Sequence, residues 1–168
     1  MTKKKAFTLV ELLVVIAIVA ILAVAGVVGY TVFIDKARIS NAETELHQIK
    51  TLITTEAMSN PAITITEDEI VFGNYYYCAE AIGEEYAVGT MINLETYGSL
   101  SEENKVKFVP ADIKTVAKYS SDEELNKVWD NLSYNIAAKE VWMISSSDAG
   151  YRACWTIADN TVKGEKIR

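Results

Sequence analysis

Histidine, proline and cysteine are all scarce in this sequence: one, two and two respectively among 168 residues. With His47 alone, no nucleophile elbow, no phosphate-binding glycine loop and no cluster spaced for a metal, no catalytic set is legible. The chain is read as a non-enzyme without cofactor or metal. Basic residues are also outnumbered, 16 against 23 acidic, for a net charge of −7. Such a surface repels nucleic-acid phosphates and argues against direct contact with DNA through the body of the protein. His47 itself sits at helical spacing and reads as a polar residue on an exposed helix side. No internal repeat and no low-complexity linker occurs.

Half the residues are apolar, and they are unevenly placed. From Phe7 to Ile34 the only interruptions are Thr8, Glu11, Gly26, Gly29, Tyr30 and Thr31. As helix, this stretch exceeds the roughly 30 Å of a hydrocarbon core. Lys3, Lys4 and Lys5 precede it, while Asp35, Glu43 and Glu45 dilute Lys36 and Arg38 after it. That bias places the start in the cytoplasm and the rest of the chain outside. A cleaved secretory signal ending at Ala23-Val24-Ala25 is the first competing reading, but the apolar run continues to Ile34, well past the ordinary length of such a signal. A plain single-pass anchor is the second. It gives Glu11, an acid among apolar residues, no purpose.

Basic residues, a small residue and then Phe7-Thr8-Leu9-Val10-Glu11 at the head of an apolar helix resemble the type IV prepilins and the pseudopilins of type II secretion and competence systems. The resemblance is specific over Lys3 to about Val28. It implies cleavage between Ala6 and Phe7 by a membrane prepilin peptidase and N-methylation of Phe7. Ala6 departs from the glycine usual before the scissile bond. The resemblance further implies that Glu11 is neutralised by the Phe7 amine of an adjacent subunit; pairing within the chain, one turn apart, is the competing arrangement. It also implies that residues near Gly26 and Gly29 can lose helical hydrogen bonds in a filament; close helix packing is the competing reading, and the spacing is G-x-x-G, not the G-x-x-x-G of dimerising spans. Leader removal takes three lysines and makes the chain still more acidic.

The function so implied is that of a pilin: a subunit stored as a single-pass protein in the cytoplasmic membrane, then polymerised into a surface filament serving adhesion, motility or DNA uptake. Its partners would be further copies of itself, the peptidase, an assembly ATPase and membrane platform proteins. The alternatives are a pseudopilin of a secretion or competence machine and an anchored extracellular binding protein that never polymerises.

Beyond the span, Ile39, Ala42, Leu46, Ile49, Ile53 and Ala57 recur every three or four residues, so one apolar stripe continues. Ser40, Asn41, Glu45 and Gln48 fall elsewhere around the helix. One helix is predicted from Phe7 to about Ser59, ended by Asn60-Pro61; at 1.5 Å per residue it is a rod of roughly 75 Å. Strands are predicted at Ala62–Thr66 and Ile70–Phe72. Residues 75–119 resist assignment. Ser121 and Glu124 form a capping-box signature for a helix through Leu125, Val128, Trp129 and Leu132. Glu140–Ile144 and Tyr151–Ile157 form a hairpin whose second strand turns Tyr151, Ala153, Trp155 and Ile157 toward the helix stripe.

The fold class expected is α+β, a long protruding N-terminal helix packed on a C-terminal antiparallel sheet head. Residues 1–6 are leader, 7–34 the membrane and filament-core half of the helix, 35–59 its amphipathic half and 60–168 the head. Cys78 and Cys154, both on the outer side of the membrane, are open to a disulfide or two buried thiols, with metal ligation a third reading that no neighbouring Cys or His cluster supports. The bridge would be worth roughly 4–5 kcal/mol in the chain-entropy picture.

Overall fold

The computed structural model describes residues 8–167. The first helix, α1, runs over Leu9–Ser59, and the chain divides into two compact units, Met1–Arg38 and Ile39–Arg168.

From Leu9 to Ile34, within the first unit, α1 carries apolar side chains on every side. Leu9 is 80% exposed, Ile21 69% and Phe33 67%. A segment with no polar face has nothing to offer water. Among the described residues it is the one helix long and apolar enough to cross a membrane.

Within the second unit the helix changes character. Ala42, Leu46, Ile49 and Ile53 are buried, and Ile39 and Ala57 pack against the same core partly covered. This is the stripe the sequence predicts. The helix stops where expected, and the stop is hydrogen-bonded: the Asn60 amide nitrogen donates to Glu56 Oε1 at 2.8 Å and to the Tyr77 hydroxyl at 2.9 Å, while its Oδ1 accepts from Ala62 N at 3.0 Å.

Among the described residues three antiparallel sheets follow. The strands β1 (Ile63–Ile65) and β2 (Ile70–Phe72) pair as a ribbon, Ile63 opposite Phe72. Residues 75–119 resolve into short elements: β3 (Tyr75–Cys78), β4 (Met91–Asn93), α2 (Leu94–Ser99), α3 (Glu102–Lys105), β5 (Phe108–Pro110) and α4 (Ile113–Tyr119). Their sheet has the order β4-β3-β5. The helix α5 (Glu123–Lys127) and a 3₁₀ turn (Trp129–Asn131) lead into β6 (Leu132–Asn135), β7 (Glu140–Ile144), β8 (Tyr151–Thr156) and β9 (Thr161–Lys166), a four-stranded meander in sequence order.

Each short helix begins at a side-chain cap, as expected of ends that leave four backbone N–H groups unpaired. Asn93 caps α2 and Ser101 caps α3. Asp112 caps α4 in a complete box, its Oδ1 accepting from Thr115 N at 2.7 Å while its own N donates to Thr115 Oγ1 at 2.8 Å. The start predicted at Ser121 is corrected by one residue. Asp122 caps α5, accepting from Glu124 N and Leu125 N, because an aspartate one position on serves equally well. The helix also ends sooner than expected, and Leu132 opens β6.

The hairpin β7–β8 forms as predicted. Tyr151, Ala153, Trp155 and Ile157 are 5% exposed or less and join the core containing the α1 stripe. The fold is α+β and pilin-like, a long N-terminal helix packed against antiparallel sheets.

The bridge between Cys78 and Cys154 is not formed; both are buried free thiols. The reason is strand parity. On β8 the alternate residues Tyr151, Ala153 and Trp155 face the core, so Cys154 points to the opposite face, between its cross-strand neighbours Trp142 and Lys163. Cys78 lies in another sheet, in a separate small cluster with Ile92 and Phe108. Burial, and secondarily the Glu140 carboxylate, pushes the Cys154 thiol up to about 11. At pH 8 only about 0.1% would be thiolate, the reactive form. Iodoacetamide at pH 8 is therefore expected to modify Cys154 at least about a hundredfold more slowly in the folded chain than in urea, read by peptide mass spectrometry; equal rates would refute this.

Candidate functional site

The residues singled out for assembly gather at the start of α1. Ala6 and Phe7 lie outside the described residues, so the cleavage, methylation and amine-pairing expectations placed on them do too. Glu11 is described, and it is not idle within its own chain. Its Oε2 accepts from the Thr8 backbone N at 2.9 Å and from the Thr8 hydroxyl at 2.9 Å, and its own N donates to Thr8 Oγ1 at 3.3 Å. This is a reciprocal capping box, with Thr8 as N-cap and Glu11 three residues on. The signal stands in the sequence as T-x-x-E at the mouth of an apolar run, and a reading fixed on charge passes over it.

The box accounts for hydrogen bonds but not for charge. A carboxylate among Leu9, Val10, Leu12 and Leu13 still carries its negative charge into an apolar setting, and no cation stands among the described residues of this first turn. The helix dipole favours an acid at this end; full compensation requires a positive group from elsewhere.

Farther along, Gly26 and Gly29 lie in unbroken helix, and a Cβ at either would meet nothing within 4 Å. Among the described residues no contact requires either glycine. His47 is exposed. Among the described residues no group of three or more His, Cys, Asp or Glu side chains is placed to hold a metal.

Two carboxylates on the second half of α1 act where sequence reasoning had placed only polar surface. Glu45 reaches the turn between β7 and β8, its Oε2 accepting from Ser146 N at 2.9 Å and from the Ser146 hydroxyl at 3.2 Å, its Oε1 from Ser145 Oγ at 3.2 Å. Burial alone would raise its pKa, but hydrogen bonds from Ser147, Ser146 and Ser145 outweigh that and hold it below the usual carboxylate range. Glu43 Oε1 accepts from Gly164 N on the edge strand β9 at 2.8 Å. Both contacts span more than 90 residues and leave no local trace in the sequence.

Residues 1–27 match the family model described as the prokaryotic N-terminal methylation motif. The chain thus carries the class III signal peptide of type IV pilins and pseudopilins, on a helix fit to anchor a precursor in a membrane. Such a leader implies processing by a prepilin peptidase and use in type IV systems generally. No curated protein and no solved structure matches the chain.

Proposed function

We propose that this chain is a pilin. Cut between Ala6 and Phe7 and methylated at Phe7, it polymerises through residues 7–34 into a cell-surface filament, leaving residues 60–168 as the displayed head. Drawn from the bilayer by an ATPase and a membrane platform, each subunit would exchange lipid for the helices of its neighbours. The observation that carries this reading is the apolar half of α1, exposed on all sides within the chain and headed by one carboxylate inside the methylation motif. Lipid satisfies the apolar surface of a monomer, and no cation among the described residues of the first turn of α1 pairs the carboxylate, so the reading gives that role to the Phe7 amine of a neighbour.

Shearing cells and imaging the released material by electron microscopy, with mass spectrometry of its N-terminus, tests this. Thin filaments built of this chain and beginning at N-methylated Phe7 are expected. Chain cut at Phe7 but never released as filaments would instead indicate a pseudopilin of an envelope machine. Chain retained at Met1 or beginning at Gly26 would overturn the assembly reading altogether.

A further inference from the structure

A groove of about 440 Å³ lies along the second half of α1. Its lining includes apolar Ile49, Leu52, Val128 and Met143 and the carboxylates of Glu45 and Glu124. Ile49 and Met143 are buried beneath it, and Glu124 is exposed. An apolar floor between two acids suits an apolar side chain flanked by cations.

The second unit exposes several large apolar side chains, and their neighbours sort them. Met58, Val71 and Leu94 each have a glutamate within two positions, while Val88, Ile136 and Ile144 have no charged residue within two positions. Val106, 81% exposed, stands directly between Lys105 and Lys107. It follows α3, in the part of the head built around Cys78, Ile92 and Phe108, whereas the groove is made by α1, α5 and β7. Knob and groove are therefore different surfaces of one chain. Their union between copies is heterologous, the kind that propagates into open polymers rather than closing as a dimer.

We propose that the Lys105–Val106–Lys107 knob of one copy seats in this groove of the next, with Val106 against Leu52 and Val128 and the lysines toward Glu45 and Glu124. The contact rests on the polymer reading above and gives it a second, extracellular set of interactions beside the helix core. Glu124 already bonds Lys127 at 2.6 Å, an exposed pair worth little; Lys105, half-buried, bonds the exposed Glu102 at 2.7 Å and would have to exchange that partner for the groove.

The test is a pair of cysteines, Leu52→Cys with Val106→Cys, in the full chain expressed in its own cells. Mild oxidation of sheared filaments should give a ladder of covalent multimers on a non-reducing gel, and each single variant should run as monomer. Filaments of the double variant without a ladder overturn the docking and leave the polymer intact. Absence of filaments from the unaltered chain overturns the polymer reading and the contact with it. Should the double variant fail to polymerise, charge reversal decides. Glu124→Lys should lower filament yield about tenfold with unchanged thermal stability, and adding one reversal, Lys105→Glu or Lys107→Glu, whichever lysine faces Glu124, should restore it while the other lysine keeps Glu45. Unchanged yield for Glu124→Lys, or no restoration, overturns the proposal.

Discussion

Replacing Glu11 by glutamine is expected to cut the yield of sheared filaments as deeply as replacing it by valine, by at least about tenfold, with membrane insertion intact in both. The comparison separates the capping that Glu11 performs from the counter-charge role proposed for it. Glutamine is as good as glutamate at the third position of a capping box, so Glu11→Gln keeps the acceptor that receives Thr8 N and the Thr8 hydroxyl. It removes only the charge. If the box were the whole reason for an acid here, glutamine would assemble normally and valine would not. If a neighbour's Phe7 amine must find an anion, both fail alike, because the amine is then buried without a counter-charge. Filament mass per cell, normalised to membrane-bound chain on an immunoblot, reads the result; normal assembly of Glu11→Gln would assign Glu11 to capping alone.

How much of this was legible in the sequence depended on the reach of each signal. The stripe from Ala42 to Ile53 and the inward face Tyr151, Ala153, Trp155 were readable because both are periodic over several repeats, and a core needs both periods satisfied at once. Residues 75–119 were not. Their elements are three to seven residues long, too short for a period to show. What marks them is capping chemistry at single positions, Asn93, Ser101 and Asp112. The Asp112-x-x-Thr115 box escapes the rule that pointed to Ser121, which asks for Glu or Gln at the third position. Strand parity explains the cysteines: composition put two thiols in one compartment, but only the register of β8 shows that Cys154 faces away from the core. At the candidate site, Glu11 was legible as an anomaly of charge, and its box with Thr8 was legible too, though only to a reader asking where the first N–H groups of the helix go. The clasps of Glu43 and Glu45 had no sequence signal, since their partners Gly164 and Ser146 are brought near only by the completed fold.

Substituting Gly164 by alanine is expected to destabilise the protein by about 1–3 kcal/mol, although alanine is the smallest side chain that could be added. Gly164 lies on β9, the edge of the four-stranded sheet, opposite Ala153. A Cβ there would stand 2.8 Å from the Ile39 carbonyl oxygen, and 2.9 Å from both Glu43 Cγ and Ile39 Cγ2. The nearest of these atoms is helix backbone, which cannot rotate aside as a side-chain tip can. Strand and helix must separate, and the bond from Gly164 N to Glu43 Oε1 goes with the movement. That bond satisfies an edge-strand donor, so its loss also uncovers a backbone group suited to pairing with another chain. The control is Gly98→Ala in α2, where a Cβ meets nothing within 4 Å and alanine should be neutral or stabilising by up to about 1 kcal/mol. Thermal unfolding of the full chain in detergent measures both, at about 2–4 °C per kcal/mol for a chain of this size. A melting temperature for Gly164→Ala equal to that of the unaltered chain would show that the sheet edge and α1 are free to part at no cost, and that the close approach at Gly164 contributes nothing to holding them together.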